Sequence, residues 1–220
     1  MAEGEPLILW DWIVDHLDEV VLRTLEHLGI TVVAVAVGFV ISLVLAIAIS
    51  RRRSLYGPVT AVAGVLYTVP SLALFGLLIP FTGFSFLTLE IALVSYTILI
   101  LVRNIVAGLD AVPEDIIEAA MAMGYTTWQR LWSVEMPLAL PVVVTGLRIA
   151  TVTTIGLVAI AELINQGGLS YFIIERGLLR FFPTAIILGS VLSILLAVGA
   201  DVAFVRLQRL VTPYAQARTP

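Results

Sequence analysis

Two charge-free runs constrain this 220-residue chain more than any other feature. Leu28 to Ser50 is 23 residues without a charged side chain, and Ser54 to Leu89 is 36. A hydrocarbon core about 30 Å thick takes roughly 20 apolar residues in helix. The first run therefore makes one crossing, and the second is too long for one. Pro58, Pro70 and Pro80 punctuate it, and Phe81-Thr82-Gly83-Phe84-Ser85 reads as a turn. Spans are expected near 28–50, 58–80, 86–108, 138–162 and 181–205. The fold class that follows is all-α, a polytopic membrane helix bundle of about five transmembrane helices. A chain 60% hydrophobic and 13% charged carries too much apolar surface for a water-facing domain of this size.

Five crossings put the two ends on opposite sides, and arginine tells the sides apart. Arg51, Arg52, Arg53, Arg103, Arg130, Arg206, Arg209 and Arg218 fall on one face, against Arg23, Arg176 and Arg180 on the other. Cytoplasmic loops carry the basic excess, so the N-terminus is expected outside and the C-terminus inside. The chain then divides into an extracytoplasmic segment 1–27, a transmembrane domain 28–210 and a cytoplasmic tail 211–220. The first 27 residues lack a positive start and carry Asp11, Asp15, Asp18 and Glu19, so they do not read as a cleavable signal. Trp10, Ile13, Val14, Leu17, Val21 and Leu25 recur at helical spacing. They predict a helix on the outer surface, packed on the bundle or facing a soluble partner.

Reactive side chains are scarce. All 12 basic residues are Arg, so neither a phosphate-binding GxxxxGK[ST] loop nor a lysine Schiff base can form. There is no Cys, and His16 and His27 both lie in the first 27 positions. No enzymatic activity, cofactor, metal or nucleic-acid partner is expected; membrane lipid is.

The longest segment on the Arg-rich face, 109–137, is dense in helix punctuation. Val112-Pro113-Glu114-Asp115 starts a helix with acids at its positive end. Ile116 to Met123 continues it, and Gly124 stops it. Thr126 or Thr127 can cap a second short helix that ends before Pro137. Ala119, Ala120, Met123 and Gly124 form a small, apolar side suited to docking.

Glu118-Ala119-Ala120, three residues, Gly124, nine residues, then Val134-Glu135-Met136-Pro137 resembles the EAA loop of ABC importer permeases. Val134 and Met136 stand where that pattern has Ile and Leu. Arg103-Asn104, Leu138-Ala139-Leu140-Pro141, Gly146 to Thr151 and Gly167-Gly168-Leu169 are similar to the osmoprotectant branch, which takes glycine betaine, choline, carnitine and related quaternary ammonium solutes. The resemblance implies a multi-pass permease of a bacterial or archaeal cytoplasmic membrane. Glu118, Ala119, Ala120, Gly124 and Pro137 would belong to its ATPase-coupling loop. It also implies ABC ATPase subunits that bind the ATP, a second permease subunit (itself or a paralogue) and an external substrate-binding protein. The alternatives are a methionine-type amino-acid importer and, from a different class, a self-contained secondary transporter. The latter would want inverted repeats and midplane carboxylates.

Several polar residues near the membrane are pathway candidates. Arg148 lies about 15 Å into its span, placed to line the inner mouth or to tie spans together. Glu162, Asn165, Gly167 and Gly168 close the fourth span, where two glycines break the helix and an outer gate or a plain loop can form. The stretch from Ser170 to Arg180 is open to a short re-entrant or surface helix. Tyr67, Tyr96, Tyr171 and Phe172 could offer aromatic faces to a quaternary ammonium group, or simply pack. Glu90 is expected at the outer rim and Arg103 near the inner interface. Gly38, Ser42, Gly64, Gly146, Ala150, Gly189 and Ser193 are expected at close helix contacts.

Overall fold

The computed structural model describes residues 7–211. Nearly all of the 211–220 tail, Arg218 included, and the first six residues lie outside the described residues. What is described is helix and turn, without a strand. α1 (Trp10–Asp15) is followed by the 35-residue α2 (Leu17–Arg51). The 36-residue run divides into α3 (Tyr56–Thr68), α4 (Ser71–Thr82) and the start of α5 (Phe86–Asp110). Then come α6 (Glu114–Ala122), α7 (Thr127–Arg130), α8 (Met136–Val158) and α9 (Pro183–Val211).

Leu17–Arg51, Phe86–Asp110, Thr127–Val158 and Pro183–Val211 are each long and apolar enough to cross a membrane. The α3–α4 pair makes a fifth if it counts as one span. The expected 58–80 span is thus not one straight helix. Pro70, at φ −57° and ψ 136°, supplies no N–H and pushes Val69 out of the helical region, which breaks the run there. Pro80 stays inside α4, which ends two residues later at Thr82, with Gly83 as its C-cap.

The N-terminal expectation needs two corrections. Residues 17–27 are not a separate surface helix; they are the first turns of α2, because nothing after His16 interrupts helix. The face that packs is also not the one the periodicity chose. Trp10, Val14, Leu17, Val21 and Leu25 are exposed, while Trp12 and Val20 pack on Leu169, Phe172 and Ala185.

The chain forms two compact units, one of residues 7–36, 69–94 and 151–200, the other of 37–68, 95–150 and 201–211. The first has its core at Leu169, Phe172 and Ala185. The second is built around Ala46, Ile49, Leu101, Val102, Ile105, Leu131 and Val143. Small residues set helix spacing within them. A Cβ on Gly38 would lie 1.8 Å from Thr97 Oγ1, one on Gly146 2.6 Å from Asn104 Cβ, and one on Gly189 2.9 Å from the Leu169 carbonyl. Ser42, Ala150 and Ser193 are buried as expected. Gly64 departs from the set, with nothing within 4 Å of its Cβ position.

Overpacking a helix contact costs about 1–3 kcal/mol. Gly38→Leu and Gly146→Leu should therefore lower the thermal unfolding midpoint in detergent, and Gly64→Leu should leave it in place.

Candidate functional site

The 109–137 segment folds by local rules. Pro113 precedes α6 in extended conformation, and Glu114 and Asp115 occupy its first turn. Its C-terminus closes with two bonds: Tyr125 N–H donates to the Ala120 carbonyl (3.1 Å) and Gly124 N–H to that of Met121 (2.9 Å). That pairing needs a left-handed residue at 124, where Gly124 has φ +83°. Thr126, rather than Thr127, caps α7. Its hydroxyl accepts from Gln129 N–H at 3.3 Å, and the Gln129 amide oxygen accepts from Thr126 N–H at 2.9 Å.

Glu118, Ala119, Met123 and Gly124 are exposed, but Ala120 is only 1% exposed. Adjacent residues on a helix point about 100° apart, so Ala119 and Ala120 cannot share the docking face. Pro137 departs from expectation as well. It does not end the second helix: the chain runs through a wide turn at Leu131–Glu135, with Met136 N–H donating to the Leu131 carbonyl, straight into α8. Pro137 sits in the first turn of α8, where a missing N–H is tolerated.

Three side-chain contacts around this segment were not legible in the sequence. Arg53 grips Asp110 with two bonds of 2.8 and 2.7 Å. The Arg51 guanidinium stands 4.9 Å from the Trp128 ring centroid. Arg130 donates to Glu135 at 2.5 Å, with Glu135 almost fully buried. Sequence reading used these arginines only to mark a membrane face; partners up to 77 positions away leave no local signal.

In the other unit, Glu162, Asn165, Gly167 and Gly168 come together in one tight turn. Asn165, Gly167 and Gly168 are left-handed at φ 56°, 72° and 71°. The left-handed conformation favours glycine at 167, where a Cβ would also fall 2.7 Å from Glu26 Oε2 and displace that side chain. Gly167 N–H donates to Glu162 Oε2 (2.9 Å), Gly168 N–H to Glu26 Oε2 (3.1 Å) and Leu169 N–H to His27 Nδ1 (3.3 Å). His27 Nε2 donates to the Ile155 carbonyl at 3.1 Å, which fixes the neutral ring's tautomer. The stretch after this turn winds into a wide helical turn, Phe172–Leu178.

The aromatic candidates separate. Arg23 sits 4.0 Å from the Tyr171 centroid, and Arg176 donates to its hydroxyl at 2.9 Å, so that ring already holds a cation. Phe172 is fully buried beside Trp12. Tyr67 and Tyr96 remain, edge to face at 5.8 Å, with Tyr67 40% exposed. Arg148 does tie spans: it pairs with Asp201 through two bonds, one of 2.9 Å, joining α8 to α9. Glu90, expected at the outer rim, lies one turn into α5. It is 8% exposed, and among the described residues neither carboxylate oxygen has a hydrogen-bond partner.

Among the described residues the chain is all helical, with several membrane-length helices and a capped two-helix excursion between two of them. The family described as binding-protein-dependent transport system inner membrane component matches residues 38–213, and the chain belongs to that family. It is therefore a multi-pass protein of the cytoplasmic membrane, and its family works with ATPase and substrate-binding partners. The osmoprotectant import permease protein OsmW of Salmonella typhimurium is 37% identical over 92% of this chain and 96% of its own. The glycine betaine/carnitine/choline transport system permease protein OpuCB of Bacillus subtilis is 33% identical over 89% of each. Among solved structures, a chain of the inward-facing MetNI methionine ABC transporter is 27% identical. It matches 88% of this chain and 96% of that one with a TM-score of 0.79.

Removing one member of a membrane ion pair strands the other. Arg148→Ala and Asp201→Ala should each lower the unfolding midpoint in detergent. The double variant should lose less than the sum of the two, an interaction of about 1 kcal/mol. Strict additivity would show that the pair contributes nothing.

Proposed function

We propose that this chain is the transmembrane subunit of an ABC importer that moves an osmoprotectant inward: glycine betaine, choline, carnitine or a related quaternary ammonium solute. The observation that carries the solute class is identity of 31–37% to permeases named for those solutes, over most of each chain. The N-terminus lies outside and the C-terminus inside, which puts α6 and α7 in the cytoplasm. There Glu118, Ala119 and Gly124 meet the ATPase subunit. Small residues let the surfaces approach, and Glu118 can accept from an arginine of the partner. Ala120 seats α6 from beneath, and Pro137 starts the span that α6 and α7 move.

ATP is bound and hydrolysed by that partner, and this chain holds no cofactor. A second permease subunit, identical or paralogous, completes a pathway that five spans are too few to enclose. An external binding protein delivers the solute. ATP-driven closure shifts α6 and α7 and moves the spans between two packings, so access alternates. Glu162, Asn165, Gly167 and Gly168 act at the outer gate. Tyr67 and Tyr96 offer ring faces to the quaternary ammonium group. Arg148, a cation already paired with Asp201, shapes the pathway without touching a cationic solute.

A methionine-type importer is the second reading, favoured by the MetNI likeness. Binding assays on the cognate external protein with betaine, choline, carnitine and methionine decide between them: methionine alone would transfer the assignment.

Coupling is tested at Gly124. Among the described residues a Cβ there meets nothing within 4 Å, but at φ +83° most side chains strain the turn, so a bulky change is paired with one that tolerates that conformation. Gly124→Trp should abolish ATP-dependent uptake while membrane insertion stays normal. Gly124→Asn, which tolerates the left-handed turn, should retain more uptake. Uptake that survives the tryptophan, or that runs on an ion gradient without an ATPase, overturns the importer reading.

A further inference from the structure

The segment that would meet the ATPase is held at both of its ends by one short stretch of α2 and the turn after it. Asp110, the last residue of α5, is gripped by Arg53, and Trp128, in α7, lies against Arg51. Between these anchors, residues 111–127 make no side-chain hydrogen bond or ion pair to another long helix among the described residues. Arg52, exposed between the two, makes no such contact. Below the anchors, Ile49, Leu109 and Leu131 are buried in one apolar cluster, with Leu55 and Tyr56 packed against it. Beside Arg51 a cavity of about 40 Å³ remains, lined by Ser50, Thr127, Arg130 and Glu135. Arg51 therefore spans a gap that packing does not fill.

Exposed ion pairs and cation–π contacts add little to fold stability. A bidentate guanidinium–carboxylate pair does fix direction as well as distance. That pair at one end of a moving segment, with the Arg51–Trp128 cation–π contact near the other, defines its position relative to α2. We propose that Arg51 and Arg53 are positioning residues of the transport cycle, which pass displacement of α6 and α7 to the end of α2. The proposal rests on the importer reading above. It gives the arginine triplet a second role beyond marking the cytoplasmic face, and divides that role unequally: the outer two arginines act, the middle one does not.

The test uses the whole transporter, with its ATPase subunits and binding protein, reconstituted in liposomes. Glycine betaine and choline are the probes, and the readout is solute moved per ATP hydrolysed. Arg51→Ala, Arg53→Ala and Asp110→Ala should each lower that ratio by about fivefold, with ATPase subunits still co-purifying. Arg52→Ala should keep the unaltered ratio. The exchange Arg53→Asp with Asp110→Arg should recover more than half of what either single change loses. An unaltered ratio in Arg51→Ala and Arg53→Ala, an equal fall in Arg52→Ala, or no recovery on exchange would overturn the proposal. Loss of the ATPase subunits from these variants would overturn it too, since the arginines would then serve assembly. Absence of ATP-driven uptake in the unsubstituted transporter is a different result, and refutes the importer reading itself.

Discussion

A polar group carried to membrane depth has no water to turn to, so it must find its partner inside protein. Two features of this structure follow that constraint, although the buried Glu90 carboxylate in α5 does not. Where the backbone leaves helix at Gly167, three consecutive N–H groups are freed, and each is taken by a side chain: Glu162, Glu26 and His27. His27 can accept from Leu169 only because its other nitrogen donates to the Ile155 carbonyl. The turn and the start of α2 are thereby parts of one hydrogen-bonded assembly. The Arg148–Asp201 pair answers the same demand within the spans. Its side chains remain 37% and 36% exposed, too much for a face turned to lipid. That face of α8 and α9 needs water or protein over it, in keeping with a pathway or a second subunit.

Local signals in the sequence fared well because they depend on neighbours a few positions away. Gly124 as a helix stop, Thr126 as a cap, Pro113 as a start and the Gly167-Gly168 break are each set by backbone stereochemistry. The charge-free runs located the membrane helices for an equally simple reason: length against hydrocarbon thickness. What was lost depends on distant partners. Asp201 pairs with an arginine 53 positions earlier, a partnership that no local signal marks. The N-terminal apolar stripe stays exposed, and Trp12 and Val20 make the packing contacts instead.

Glu118, Ala119 and Ala120 show the limit of motif reading within a legible element. The letters place a helix and its stop correctly, but a motif is linear and a helix is not. Consecutive residues point in different directions, so the two alanines divide the work of one helix, Ala120 against its own chain and Ala119 outward. Of the pattern, only Glu118, Ala119 and Gly124 stay open to a partner. Pro137 belongs to the next span rather than to the loop.

These strands meet in α2. It is unbroken from Leu17 to Arg51 and contains no proline. It carries Glu26 and His27, which hold the Gly167–Leu169 turn, and Arg51 at its last position. A helix without proline has no enforced break, whereas Pro70 interrupts the 54–89 run between α3 and α4. The sequence encodes that difference with a single proline.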